Sequence, residues 1–174
     1  MGVILALAVV SVVLRLTVLS YWTIPQNGMY PNLAAGSKFF GINKPYKTAT
    51  DVQRGDIVVF EQFKGNDRYI YIWRVVGVPG DAIEVEGSRV TLNGKQLPLE
   101  KIRSEGENEI FRETNGTTSY EVAYDNAPEE GLSGKYATTV PEGSLYVLGD
   151  NRSHASDSRR MGTIPFSSVI AKKW

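Results

Sequence analysis

The chain has no cysteine and only one histidine, His154, in 174 residues. Without thiols it has no disulfide, no thiolate metal site and no cysteine nucleophile. One His excludes a three-histidine metal site, and a lone loop His is ordinarily solvated. Neither a metal nor a cofactor is expected. An excess of either charge is also lacking, since 19 basic residues balance 19 acidic ones. A nucleic-acid partner would call for a basic stripe, so none is expected. Charge is scarcest in Val3–Trp22, VILALAVVSVVLRLTVLSYW, where Arg15 stands alone. At 42% hydrophobic and 22% charged, the remainder suits one globular domain.

A membrane-crossing helix needs about 20 apolar residues. Arg15 at mid-bilayer would cost roughly 2.5–3.5 kcal/mol. The favoured reading therefore ends the hydrocarbon segment near Leu14 and lays Leu16–Trp22 in the interface, with Tyr21 and Trp22 as aromatic anchors. A cleavable leader fits less well, because a basic start and a small-x-small cleavage site are both missing. Residues 1–22 are thus expected to be a single-pass anchor in contact with membrane lipid, and residues 23–174 the folded domain.

After Pro31 the pattern changes to short runs rich in β-branched and aromatic residues: Asp56–Glu61, Tyr69–Val78, Ala82–Glu86, Arg89–Leu92 and Ser144–Leu148. Asn93-Gly94 is a strong two-residue hairpin signal, and Glu86-Gly87-Ser88 marks another turn. No long helical period and no internal repeat is present. The expected fold is mainly β, antiparallel and barrel-like. Residues 103–139 are polar and acidic and read as an insertion, with a hairpin around Asn115-Gly116 and a loop over Asn126–Lys135.

Three blocks remain: IPQNGMYPNL from Ile24 to Leu33, WRVVGVPGD from Trp73 to Asp81, and GDNRSHASDSR from Gly149 to Arg159, followed by Gly162–Pro165. Together they resemble the type I signal peptidases, membrane-anchored serine proteases that remove signal peptides from exported proteins. The likeness spans residues 15–171. Its frame positions are Ile24, Pro25, Met29, Pro31, Leu33, Arg74, Gly77, Pro79, Gly80, Asp81, Gly149, Asp150, Asn151, Arg152, Asp157, Ser158 and Arg159. Arg15, nine residues before Ile24, fits as well. The resemblance implies the bacterial cytoplasmic membrane, with the β domain on the extracytoplasmic side.

The positions that carry chemistry in that family differ here. Gly28 stands at the nucleophilic serine, Gln26 at a serine that helps hold the oxyanion, Trp73 at the general-base lysine, and Ala155 at the serine that supports the lysine. A lysine acts as a base only when neutral, so its pKa must fall about three pH units from roughly 10.4. Gly28 offers no atom to acylate, and an indole has a donor and no acceptor. Each change has a plain explanation alone. Gly28 could serve a positive φ, Trp73 could be core packing, and Ala155 could be a slipped register with Ser156 next door. Together they predict a scaffold without its dyad.

Such a protein would bind extended signal-peptide-like segments in a cleft of Ile24, Pro25, Gln26, Asn27, Gly28, Met29 and Trp73, or partner an active paralogue. Two alternatives are kept. One is hydrolysis by a relocated dyad drawn from Ser37, Ser153, Ser156, Ser158, Lys38 and Lys44. The other is a structural subunit of a secretion or conjugation assembly, in contact through the acidic insertion.

Overall fold

The computed structural model describes residues 18–125 and 134–174. The expected hydrocarbon segment, and residues 126–133 of the expected loop, lie outside the described residues. Among the described residues no helix is long and apolar enough to cross a membrane.

The described residues form fourteen strands in three antiparallel sheets. The largest comprises β1 (Leu19–Thr23), β2 (Lys38–Asn43), β3 (Ile57–Lys64), β4 (Asp67–Gly77), β12 (Ser144–Leu148), β13 (Ile164–Pro165) and β14 (Val169–Lys173), in the order β1-β2-β14-β3-β4-β12-β13. Strand β1 pairs along its whole length with Lys38–Ile42, and its Leu19–Trp22 are residues expected in the membrane interface. The same apolar and aromatic residues suit an interface and a half-buried edge strand.

Strand β3 is buried on both faces from Ile57 to Phe60, so it reads as a continuous apolar run without alternation. In β4 the side chains divide. Trp73 and Val75 join the main core with Val58, Phe60, Leu145 and Ile164, whereas Val76 joins a second core with Ile83, Val85, Tyr146 and Leu148.

The second sheet runs β11-β5-β6-β7, from β11 (Lys135–Thr139), β5 (Ala82–Glu86), β6 (Arg89–Leu92) and β7 (Lys95–Gln96). Strands β5, β6 and β12 fall where the sequence pattern places them. Leu92 pairs with Lys95, leaving Asn93-Gly94 as the expected two-residue loop with φ of 52° and 77°. Asn93 also accepts a hydrogen bond from Ala82 N and donates to Asp81. Asn93→Ala should cost about 1–2 kcal/mol through the lost bonds and a strained φ, read as a lower urea midpoint at unchanged slope.

The region expected as a polar insertion supplies a third sheet: β8 (Leu99–Glu105), β9 (Asn108–Asn115) and β10 (Thr118–Asp125). The β9–β10 hairpin closes on Gly116-Thr117, one residue beyond the expected position, because Asn115 already pairs with Thr118. This sheet docks through polar groups. Glu113, 1% exposed, takes two hydrogen bonds from Arg152, at 2.6 and 2.8 Å, and one from Tyr120. Asn115 Nδ2 donates to Val76 O.

Candidate functional site

The loop after β1 carries the first block. Ile24 N donates to Ser37 O, Gly36 N to Ile24 O, and Asn27 Oδ1 accepts from Ala35 N, so the loop closes on itself. Ile24 and Met29 are buried, whereas Pro25, Gln26 and Asn27 are exposed. The third block follows β12. Its Asn151 N donates to Gly28 O, which ties the two loops together.

The frame residues are held by charge. Asp150 accepts two hydrogen bonds from Arg74, at 2.7 and 2.6 Å, and one from Asn32. The Arg74 guanidinium lies 4.1 Å from the Tyr120 ring centre. Asp157 caps the short helix α1 (Ser158–Met161), pairs with Arg159 and accepts from Gly149 N. Ser158 Oγ accepts from Val147 N. Asp81 pairs with Arg54 and accepts from Val78 N. Burial pushes the Asp81 carboxyl up, but these donors outweigh it and hold it below its ordinary value.

Gly28, Trp73, Ala155 and Gly149 form one packed unit. A Cβ on Gly28 would lie 2.4 Å from Trp73 Cη2 and 2.6 Å from Cζ3. A Cβ on Gly149 would lie 2.3 Å from Ala155 Cβ, 2.6 Å from Gly28 O and 3.0 Å from Trp73 Cζ3. Gly28 is absent from the positive-φ positions, so the conformational explanation for it fails. The Trp73 ring is what excludes a side chain there. Trp73 is 3% exposed and does pack in the core, with its ring centre 6.4 Å from that of Tyr71. Ala155 is buried while Ser156 is exposed, so no serine has slipped into the Ala155 position. Trp73 Nε1 is buried with no hydrogen-bond partner among the described residues. An unmade bond of this kind costs about 1–3 kcal/mol.

Beside this unit runs a groove of about 430 Å³, between Trp22–Gln26 on one side and Tyr69–Trp73 on the other. Both walls are open sheet edges. Strand β1 ends the large sheet, and β4 meets β12 only at Arg74, Val75 and Gly77. The backbone of Tyr69–Trp73 therefore pairs with β3 alone among the described residues. Two facing edges, unpaired among the described residues, leave a slot with donors and acceptors on each side. Of the cleft residues expected from sequence, all but Asn27 line this groove. Asn27 lies in an adjoining polar cavity of about 410 Å³, together with Gln26, Gly28, Asn108, Asn151 and His154. Among the described residues neither space is lined by lysine or serine. Lys38 and Lys44 are exposed, Ser153 Oγ accepts from Asp125 N, and Ser158 is committed to β12. His154 pairs with Asp125 at 2.8 Å.

The family described as Signal peptidase, peptidase S26, matches residues 1–173. The chain belongs to this family. It is 31% identical to signal peptidase I of Rickettsia prowazekii over 94% of this chain and 73% of that one. It is also 31% identical to signal peptidase I of Bacillus caldolyticus, over 91% and 79%. A solved signal peptidase I from Enterococcus faecalis V583 aligns at 28% identity over 68% of this chain and 92% of that one, with a TM-score of 0.40.

Sequence reasoning did not single out the wall Tyr69–Ile72, nor Asn108. The first directly precedes Trp73 in an expected strand, so the pairing pattern held the clue. Asn108 lies 27 positions after the second block and 41 before the third, and carried no signal.

Proposed function

We propose that this chain is a non-catalytic signal peptidase homologue that holds extended, signal-peptide-like segments by strand addition. One observation carries the reading. The indole of Trp73 fills the space a side chain on Gly28 would need, so the position of the missing nucleophile and the position of the missing base are closed by one another. Acyl transfer needs a nucleophile and a base within hydrogen-bond reach. Here a ring and a bare backbone occupy both places. The groove beside them keeps what binding requires: apolar walls and two unpaired backbone edges.

A relocated Ser/Lys pair has little support, since among the described residues neither type lines the groove or the cavity. The apolar N-terminal run and the family point to a membrane-anchored protein with its β domain outside the cytoplasm. There it would meet exported precursors or an active paralogue.

The test uses the full chain in detergent micelles, with a fluorescent peptide from the end of a signal sequence. Binding is expected with a Kd on the order of 100 µM, about −5.5 kcal/mol, and the peptide should be recovered uncut. Cleavage of an authentic preprotein by the unmodified chain would overturn the non-catalytic part. Absence of binding up to near-millimolar concentration would overturn the binding part.

A further inference from the structure

The structure assigns a second subsite that adjoins the groove at Gln26 and Gly28. We propose that the polar cavity there takes a neutral polar stretch, rich in Asn, Gln, Ser or Gly, of the same peptide chain that lies in the groove. The inference rests on the strand-accepting reading of that groove.

Continuity is the first observation. Gln26 and Gly28 line both spaces, so a chain laid along the groove passes over Gly28 and enters the cavity. In a peptidase this crossing is where the chain would be divided. Here the crossing carries no side chain, and the bound chain runs through whole.

The lining supplies the chemistry. Four carboxamides, from Gln26, Asn27, Asn108 and Asn151, face one cavity from three separate parts of the chain. A carboxamide both donates and accepts, as do a peptide group, a serine hydroxyl and another carboxamide. Among the described residues no Lys, Arg, Asp or Glu lines the space, and His154 is already paired with Asp125. A charged ligand would lack a counter-charge, and an aliphatic one would strand the carboxamides without partners.

Asn151 adds an independent sign. It is 4% exposed, yet its Oδ1 makes no hydrogen bond among the described residues. Buried acceptors are nearly always satisfied, and a turn of the Asn151 side chain into the cavity would present this one to an N–H of a bound chain. Its backbone is fixed, since Asn151 N holds Gly28 O. Asn108 comes from the start of β9, so the appended sheet forms one wall of the site. The buried Arg152–Glu113 pair that docks this sheet also sets where that wall stands.

The experiment uses the full chain in micelles with three fluorescent peptides: an apolar strand-forming core, the same core with a Ser-Asn-Gln-Gly extension, and the same core with a Leu-Val-Leu-Val extension. The polar extension should tighten binding by about tenfold over the core, and the apolar extension should not. Asn108→Ala should remove about fivefold of that gain while leaving the affinity for the core unchanged. Asn108→Asp keeps the size, removes the amide donor, and should lose the gain as well. If the core binds and the polar extension adds nothing, or adds no more than the apolar one, the cavity is no subsite and the groove reading survives alone. If the core itself fails to bind, both readings fall.

Discussion

Gly28→Ser alone should destabilise the β domain by about 2–3 kcal/mol, the cost of overpacking a filled site. The new Cβ meets the Trp73 ring at 2.4 Å, and the ring is buried among core residues whose packing it must leave to make room. Trp73→Lys alone should also cost about 3 kcal/mol, because a large buried ring is exchanged for a stem and an ammonium. Made together, the two changes remove each other's difficulty. The double variant should be more stable than the sum of the singles by about 2 kcal/mol, read as coupling in a double-mutant cycle of urea unfolding. Simple additivity would mean that the two positions are independent and that the packed unit has been misread. Adding Ala155→Ser places a hydroxyl beside the introduced amine. That triple variant should cleave a preprotein detectably, and the natural chain should not. A folded triple variant without hydrolysis would mean that the backbone of the site, as well as its side chains, has left the geometry of catalysis.

Glu113→Ala should cost about 3–5 kcal/mol, since it leaves the Arg152 guanidinium buried without its carboxylate. For a domain of this size that is a fall in Tm of about 10 °C. Arg152→Ala should cost a similar amount, and replacing both by apolar residues should cost much less than the two singles summed. The pair also predicts a dependence on pH. Burial pushes the Glu113 carboxyl up, but the Arg152 charge and the hydrogen bonds from Arg152 and Tyr120 outweigh it, leaving the group below its ordinary value. A carboxyl depressed in this way gives stability that is fully present above its unfolded value of about 4.3. That stability is lost as pH falls through the lower folded value. The natural chain should therefore lose stability below about pH 4 more steeply than Glu113→Gln, measured by urea unfolding at a series of pH values. Equal slopes would remove Glu113 as the source.

Much of the fold is legible along the chain because strands and hairpins are local. Ala82–Glu86, Arg89–Leu92 and Ser144–Leu148 alternate or run apolar within their own length, and Asn93-Gly94 supplies its own positive φ. Other elements depend on partners far away. Glu105, Glu109 and Glu113 read as part of a solvated acidic insertion, yet Glu113 is among the most buried residues because Arg152, 39 positions on, meets it. Leu19–Trp22 reads as the end of an anchor, and that it is also a strand depends on Phe39–Ile42 beside it.

The candidate site divides in the same way. The sequence by itself determined that Gly28 cannot be acylated and that Trp73 cannot accept a proton, because those facts belong to the residues wherever they sit. It also determined the family, through three motifs in order. Only the tertiary structure decided that Gly28 is bare because the Trp73 ring, 45 positions away, occupies the space a side chain would take. It alone placed an open groove on one side of that contact and a carboxamide-lined cavity on the other. The physical reason is that reactivity is carried by single side chains, whereas excluded volume and open backbone edges exist only once distant strands have been brought together.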